Sequence, residues 1–198
     1  MSDVPPRILA FAGSVREGSY NRMLAREAAG IAAEAGAEVT LADLSDYPMP
    51  LMNEDLEASE GMPPRAGAFK ALLAGHDGFL IASPEYNGFV TPLLKNALDW
   101  ASRGESPDEP ALSAFRGKTA AILSASPGNL GGLRGLWVLR ILLSGLGVVV
   151  VPEQHAVGGA HDTFGEDGRL SGGRNRRAVK RAVEALVALT ASMKNGGG

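Results

Sequence analysis

The stretch RILAFAGSVREGSYNRMLAREAAGIAAEAG, residues 7–36, runs a short apolar segment into a glycine- and serine-bearing loop and then into an alanine-rich helix. Residues 8–12 are apolar without a break. A strand with one wet face would alternate, so this one is expected to be covered on both sides. The helix is predicted over 21–35, with Gly36 as its stop. A strand feeding a helix through a short loop is the opening of a βαβ unit.

The same pattern repeats outward along the chain. Further strands are predicted at 38–42, 78–82, 119–124 and 148–151, and further helices at 64–74, 92–101, 132–146 and 174–193, with Pro92 suited to a first helical turn. Five strands alternating with five helices predict a single α/β domain over 1–198, a flavodoxin-like three-layer sandwich around a five-stranded parallel sheet. The alternation leaves strand order open, and the expected order is 2-1-3-4-5. Ligands of such sheets bind beyond the carboxyl ends of the strands at the switch point beside the first strand. Attention therefore falls on the loops 13–20, 83–91 and 125–131. Segments 45–63, 103–110 and 196–198 read as loops or tails, the first two expected to border the site.

Composition narrows the function classes. The chain has 198 residues, 45% hydrophobic and 21% charged, enough to build a core and too apolar for intrinsic disorder. A net charge of -3 is too balanced for binding along a polyanion, so no nucleic acid is expected. With no Cys there is no disulfide scaffold, thiolate nucleophile or iron–sulfur cluster. The opening MSDVPPRILAFAGS lacks the basic start and long apolar run of a signal peptide. The apolar stretch 136–151 contains Arg140 and Ser144 and falls short of the roughly 20 residues a membrane span needs. A soluble, cytoplasmic protein is expected.

In the first loop Ser14, Arg16, Gly18, Ser19, Tyr20 and Asn21 combine hydroxyls, a guanidinium, an amide and a helix N-terminus with its unpaired N–H groups, an inventory that suits a phosphate. Ser19 or Asn21 as a plain helix cap is the competing reading. Ser19 and Tyr20 stand where a Walker loop needs Lys and Ser or Thr, which disfavours a nucleoside triphosphatase. Val15 interrupts the dinucleotide pattern G-x-G-x-x-G, and Asp43 reads as a strand-end turn residue rather than a ribose ligand.

After the third strand come Ser83, Pro84, Glu85, Tyr86, Asn87 and Gly88, then a helix ending in KNALDW. The pair GSVREGSYN and SPEYNGFVTPLLKNALDW closely resembles the NADPH-dependent FMN reductase family, flavin-containing quinone, azo-dye and chromate reductases of flavodoxin-like fold. Similarity extends to 50–55 and 126–132 and covers most of 7–152. The resemblance implies that Ser14, Arg16, Ser19 and Asn21 hold the phosphate of FMN with Tyr20 nearby. It further implies that Pro84, Glu85, Tyr86, Asn87 and Gly88 lie along the isoalloxazine ring, and that Ser126 and Gly128 contact a ring edge. Short Ser- and Gly-rich loops are also ordinary connections. The family implies NADPH or NADH as co-substrate, a small-molecule electron acceptor, ping-pong kinetics, and a homodimer or homotetramer with the helix 92–101 and Trp100 near the partner. No residue is expected to act as nucleophile or obligatory acid or base.

Two other classes stay open: a non-enzymatic electron carrier, and a flavin reductase that supplies reduced FMN to a monooxygenase. The modest charge argues against the carrier. Lys95 and Asp99 are expected to pair along their helix, and Trp100 either tucks under the sheet or meets a second subunit. The three histidines have no metal-site spacing, so no metal is expected, and no G-x-S-x-G elbow points to a hydrolase. The cations of 174–181 read as the solvated face of an amphipathic helix.

Overall fold

The computed structural model describes residues 4–106, 108–171 and 173–196. Its centre is a five-stranded parallel sheet of β1 (Arg7–Ala12), β2 (Glu38–Ala42), β3 (Gly78–Ala82), β4 (Thr119–Ala125) and β5 (Val149–Val157), in the order β2-β1-β3-β4-β5. That is the expected flavodoxin-like order. α1 (Tyr20–Glu34) and α7 (Gly173–Gly196) cover one face, where Ile8, Ala10, Leu80 and Leu123 meet Leu24, Val183 and Leu186. α3 (Pro64–Ala74), α4 (Pro92–Ala101) and α5 (Leu133–Gly145) cover the other, where Leu9, Phe11, Phe79 and Ile122 meet Phe69, Leu94, Leu98 and Leu139. Odd and even strand residues thus both bury, which is the physical reason the strands read as unbroken apolar runs. Each such Leu, Ile or Phe stabilises the fold by about 1.5–3 kcal/mol.

The helix ends follow the sequence signals. Gly36 sits at φ 93°, its N–H bonds the carbonyl of Ala33, and the N–H of Ala37 bonds that of Ala32. This left-handed stop is one a residue with a Cβ resists. Pro92 opens α4 behind the cap Thr91, whose Oγ1 accepts from the N–H of Leu94 at 3.2 Å. On α7 the cations from Arg174 to Arg181 are exposed while Val179, Val183, Leu186 and Val187 are buried, as the amphipathic reading expects.

Three stretches depart from the sequence expectation. α2 (Glu54–Glu60) forms inside what reads as a loop. It buries no residue, so it shows no hydrophobic period, and its warrant is local: Asn53 accepts from the N–H of Asp55 at 2.8 Å, and Glu54, Asp55 and Glu57 favour the positive end of the helix. β5 continues past Pro152 to Val157. Proline lacks a ladder donor, yet this is an edge strand and its register with β4 shifts between Ala120 and Ile122, where a missing N–H is tolerated. A short α6 (Ala160–Thr163) follows it. The expected tail at 196–198 begins inside α7, and residues 197 and 198 lie outside the described residues.

The long connections are pinned to α3 and α4. The indole N–H of Trp100 and the amide of Asn96 both donate to the carbonyl of Pro50 at 2.8 Å, and Asn96 accepts from the N–H of Met52 at 2.7 Å. Trp100 is 0% exposed, so of the two expectations the buried one holds in the folded chain. Lys95 and Asp99 pair along α4 at 2.6 Å. Lys70, almost wholly buried, reaches Glu109 at 2.6 Å and fastens the connection after α4 to α3.

Candidate functional site

The loops after β1, β3 and β4 converge at the carboxyl end of the sheet. The N–H of Gly13 donates to the carbonyl of Ala82 at 2.9 Å, and Thr91 Oγ1 donates to the carbonyl of Gly13 at 2.7 Å, so the first loop is fastened to both ends of the second. A Cβ on Gly13 would stand 3.0 Å from Ser83 Oγ and 3.2 Å from Leu94, which makes glycine the residue that lets these loops touch.

The first loop is built around unpaired donors. Among the described residues, the backbone N–H groups of Ser14, Val15, Glu17, Gly18, Tyr20 and Asn21 bond no acceptor in the chain. Ser19 occupies the N-cap position of α1 without making a side-chain cap bond, which leaves its hydroxyl uncommitted. Arg16 folds back over the loop and donates to the carbonyls of Glu17 at 3.0 Å and Gly18 at 3.2 Å, placing a cation where the helix dipole is already positive. Asn21 does not cap either. Its amide donates to the carbonyl of Ala125 at 2.8 Å and accepts from the N–H of Ala125 at 3.0 Å, so it ties α1 to the end of β4.

The second loop is a tight hairpin. Tyr86 and Phe89 exchange backbone hydrogen bonds of 2.9 and 3.0 Å around Asn87 at φ 53° and Gly88 at φ 81°. Two successive positive φ values are what an Asn-Gly turn of this kind demands. Within the described residues the N–H groups of Asn87 and Gly88 are unpaired, and a Cβ on Gly88 would meet no atom within 4 Å, so this edge faces open space. Glu85 turns away from it. Its buried carboxylate pairs with Arg134 and accepts from the N–H of Gly135 at 3.2 Å, which locks the turn to the start of α5. Burial alone would raise the Glu85 carboxyl, and the hydrogen bonds and charge of Arg134 with the N–H of Gly135 more than reverse this, holding it below the usual range.

The third loop rests on the segment after β5. Ser126 donates its N–H to Val157 at 3.0 Å, its carbonyl accepts from Ala160 at 3.1 Å, and its Oγ accepts from the N–H of Gly128 at 3.2 Å. The approach is close enough that a Cβ on Gly158 would lie 2.4 Å from the carbonyl oxygen of Asn129.

Nine of the expected site residues line one open cleft of about 170 Å³: Ser14, Arg16, Ser19, Tyr20 and Asn21 from the first loop, Pro84, Glu85 and Tyr86 from the second, and Ser126 from the third. Asn87, Gly88 and Gly128 stand outside that lining, on the same loops. Sequence reading missed Phe164, which stacks on Tyr20 with ring centroids 5.7 Å apart, because nothing local links the two. It also missed Arg134, although a signal exists. A cation in the first turn of a helix opposes the dipole and implies a nearby carboxylate. Among the described residues no group of three His, Asp or Glu is placed to hold a metal, and no helix is long and apolar enough to cross a membrane.

Residues 6–162 match the NADPH-dependent FMN reductase family. The NAD(P)H-dependent FMN reductase PA1204 of Pseudomonas aeruginosa is 38% identical over 181 residues, 91% of this chain and 92% of that one. The quinone reductase of Escherichia coli K12 is 35% identical over 153 residues, 77% of each chain. Among solved structures, the flavoenzyme NAD(P)H:(acceptor) oxidoreductase FerB of Paracoccus denitrificans superposes with a TM-score of 0.77 at 25% identity, over 95% of this chain and 98% of that one. The chain therefore belongs to the NADPH-dependent FMN reductase family and is an NAD(P)H-dependent flavin oxidoreductase acting on a small-molecule acceptor.

Proposed function

We propose that the chain binds FMN across the three loops and oxidises NADPH or NADH to reduce a quinone, an azo compound or a metal oxyanion in a ping-pong cycle. The observation that carries this reading is the concentration of unpaired donors in the first loop, the N–H groups from Ser14 to Asn21 with the free hydroxyl of Ser19. Six unpaired N–H groups and a guanidinium on one loop, of which Ser14, Arg16, Tyr20 and Asn21 line the open cleft, fit a phosphate dianion, which would satisfy several at once. Bound FMN supplies the redox chemistry, taking hydride from the nicotinamide and delivering electrons to the acceptor.

The chain's own residues bind, orient and polarise. Ser14, Arg16 and Ser19 take the phosphate, with Tyr20 braced by Phe164 beside it. Asn21 acts from behind, fixing the first loop to the third. The unpaired N–H groups of Asn87 and Gly88 are the donors for the ring edge on which negative charge grows. Pro84 and Glu85 hold that turn in place, Glu85 chiefly through the N–H of Gly135, while Tyr86 offers an aromatic face and Ser126 and Gly128 border the far side. No nucleophile or obligatory acid or base is required.

The cleft of about 170 Å³ is smaller than the roughly 300–1,000 Å³ of ordinary ligand pockets. Tyr86, Phe89 and Leu130 stand exposed beside it. A homodimer or homotetramer that covers the open side accounts for both facts. The reaction draws on reduced nicotinamide, which accords with a cytoplasmic protein.

The test is the visible spectrum of the purified protein and its anaerobic bleaching by each nicotinamide. Bleaching of retained flavin without any partner protein supports the reading. A flavin that resists both nicotinamides would make the chain an electron carrier, and one that dissociates on every turnover would make it a supplier of reduced FMN.

A further inference from the structure

Residues 158–171 lie outside every stretch that the sequence assigns to the site, yet the structure sets them against two of its three loops. Their root carries the third loop. The N–H of Ala160 donates to the carbonyl of Ser126 at 3.1 Å, and that of Gly159 to the carbonyl of Gly128 at 3.4 Å. The chain then turns into a hairpin in which Phe164 and Leu170 pair as an antiparallel bridge and the N–H of Gly165 donates to the carbonyl of Arg169 at 2.9 Å. Ser171 closes it, donating from its N–H and its hydroxyl to the carbonyl of Thr163 at 2.7 and 2.8 Å. The apolar side of this hairpin, with Phe164 and Leu170 buried, lies on the first turn of α1. Phe164 stacks on Tyr20, and the turn comes so near that a Cβ on Gly168 would stand 3.6 Å from the side chain of Met23.

Tyr20 and Asn21 open α1, and their unpaired N–H groups belong to the proposed phosphate site. The side chain of each is fastened elsewhere: Asn21 to Ala125 by two hydrogen bonds, Tyr20 to Phe164 by rings 5.7 Å apart. First loop, third loop and hairpin therefore close a circuit of contacts. Two of its joints are hydrogen-bonded. The third, between hairpin and α1, has no hydrogen bond among the described residues and rests on apolar packing. Such a circuit opens most readily at the joint whose parting strands no buried donor or acceptor. We propose that Phe164 is a positioning residue: through Tyr20 it holds the first turn of α1 with its N–H groups in place, and its stack is the joint that parts when FMN enters or leaves. It thereby sets how long the flavin is retained. This rests on the proposed seating of the FMN phosphate on the first loop, and it bears on the choice between a reductase that keeps its flavin and a supplier that releases it.

The experiment titrates FMN and riboflavin into the flavin-free protein by fluorescence quenching and follows the release of each by stopped flow. An aromatic stack is worth a factor of about two to ten in affinity. Phe164→Leu, which stays apolar but loses the face of the ring, should raise Kd for FMN by that factor and speed its release. Riboflavin, which brings no phosphate to the first turn, should bind and leave as it does in the parent. Tyr20→Leu should act alike, and adding Phe164→Leu to it should cost nothing further, the mark of one residue acting through another. Val183→Ala, in the same apolar layer but on α7, should lower Tm and leave the ratio of FMN to riboflavin affinity at the parental value. A Phe164→Leu protein with the parental ratio overturns the proposal, as does a loss shared equally by riboflavin, an additive double variant, or a ratio that falls in Val183→Ala. Failure of the functional reading looks different: the parent itself would then bind FMN no tighter than riboflavin, and the proposal would fall with it.

Discussion

The side chain of Asn21 and the backbone of Ala125 exchange two hydrogen bonds, 2.8 Å from the amide to the carbonyl and 3.0 Å from the N–H to Oδ1, across 104 residues of sequence. The amide imitates a neighbouring strand at the point where β4 runs out of partners, and both groups are buried. It thereby sets the distance between the first loop and the third.

Asn21→Ala leaves a buried N–H and a buried carbonyl without partners. The cost is about 1–3 kcal/mol, read as a fall in Tm of about 2–4 °C per kcal/mol in a domain of this size. Asn21→Asp keeps the acceptor for Ala125 but sets a carboxylate against its carbonyl, and it should be no better than Asn21→Ala. Because the two loops separate, FMN affinity should fall along with Tm. An Asn21→Ala protein with the parental Tm and FMN affinity would show that the pair positions nothing.

Arg16 both braces the first loop and charges it. Arg16→Ala should weaken FMN by about 1.5–3 kcal/mol, the range for hydrogen bonds to charged groups. Riboflavin, which lacks the phosphate, should bind parent and variant alike. Arg16→Lys should recover only part of the loss, since an ammonium cannot hold the carbonyls of Glu17 and Gly18 and a phosphate with one planar fork. Flavin fluorescence titration reads all of these, and equal FMN affinity in parent and Arg16→Ala would remove Arg16 from the phosphate site.

Much of this was legible in the sequence because the signals were local. The strands β2 and β3 and the helices α3 and α4 begin and end where apolar runs, Pro64, Pro92 and flanking Gly residues put them. The donor inventory of the first loop, on which the proposed phosphate site rests, was visible in its composition alone. Illegible parts depend on distance or on absence of burial. A helix that buries no side chain has no period to read, so only the cap Asn53 and the acids of the first turn mark α2. The apolar run ends before Pro152, where the strand is expected to stop, and β5 continues through it only because the strand bulges there, advancing from Val150 to Gln154 while β4 advances from Ala120 to Ile122. Glu85 belongs to a recognisable turn, but the direction of its carboxylate is set by Arg134, about 50 residues on. The Asn21 amide reads equally well as a cap until Ala125 is seen beside it.

The clasp between Lys70 and Glu109 predicts an acid-sensitive step. The N–H of Glu105, then Lys70 and Ser113, hold the Glu109 carboxyl down from its ordinary 4.5 to about 2. A carboxyl with a depressed pKa in the folded state adds stability above its unfolded value, and that stability drains away as pH falls from about 4.5 through about 2. Glu109→Gln should therefore lower Tm at neutral pH and narrow the gap to the parent below pH 4.5. Circular dichroism melts from pH 7 to pH 2 measure it. A gap that is the same at every pH would mean the ionised carboxylate contributes nothing.

The last prediction separates placement of the ring from proton chemistry. Gly88 has φ 81° and open space where a Cβ would go, so the protein alone resists a side chain there only through backbone strain, about 1–2 kcal/mol. If the flavin lies along this edge, Gly88→Val meets the ring as well and pulls the N–H groups of Asn87 and Gly88 away from it. Proximity and preorganised donors are what hydride transfer needs from the chain, so binding or the rate of bleaching should drop far beyond what the loss of Tm explains. Glu85→Gln removes a charge yet keeps an oxygen for the N–H of Gly135, and it abandons only a pair with the half-exposed Arg134. Its effect on bleaching should be small. Stopped-flow bleaching by NADPH in the two variants decides: a collapsed rate in Glu85→Gln beside a normal one in Gly88→Val would make the carboxylate an obligatory participant and overturn a mechanism that rests on placement.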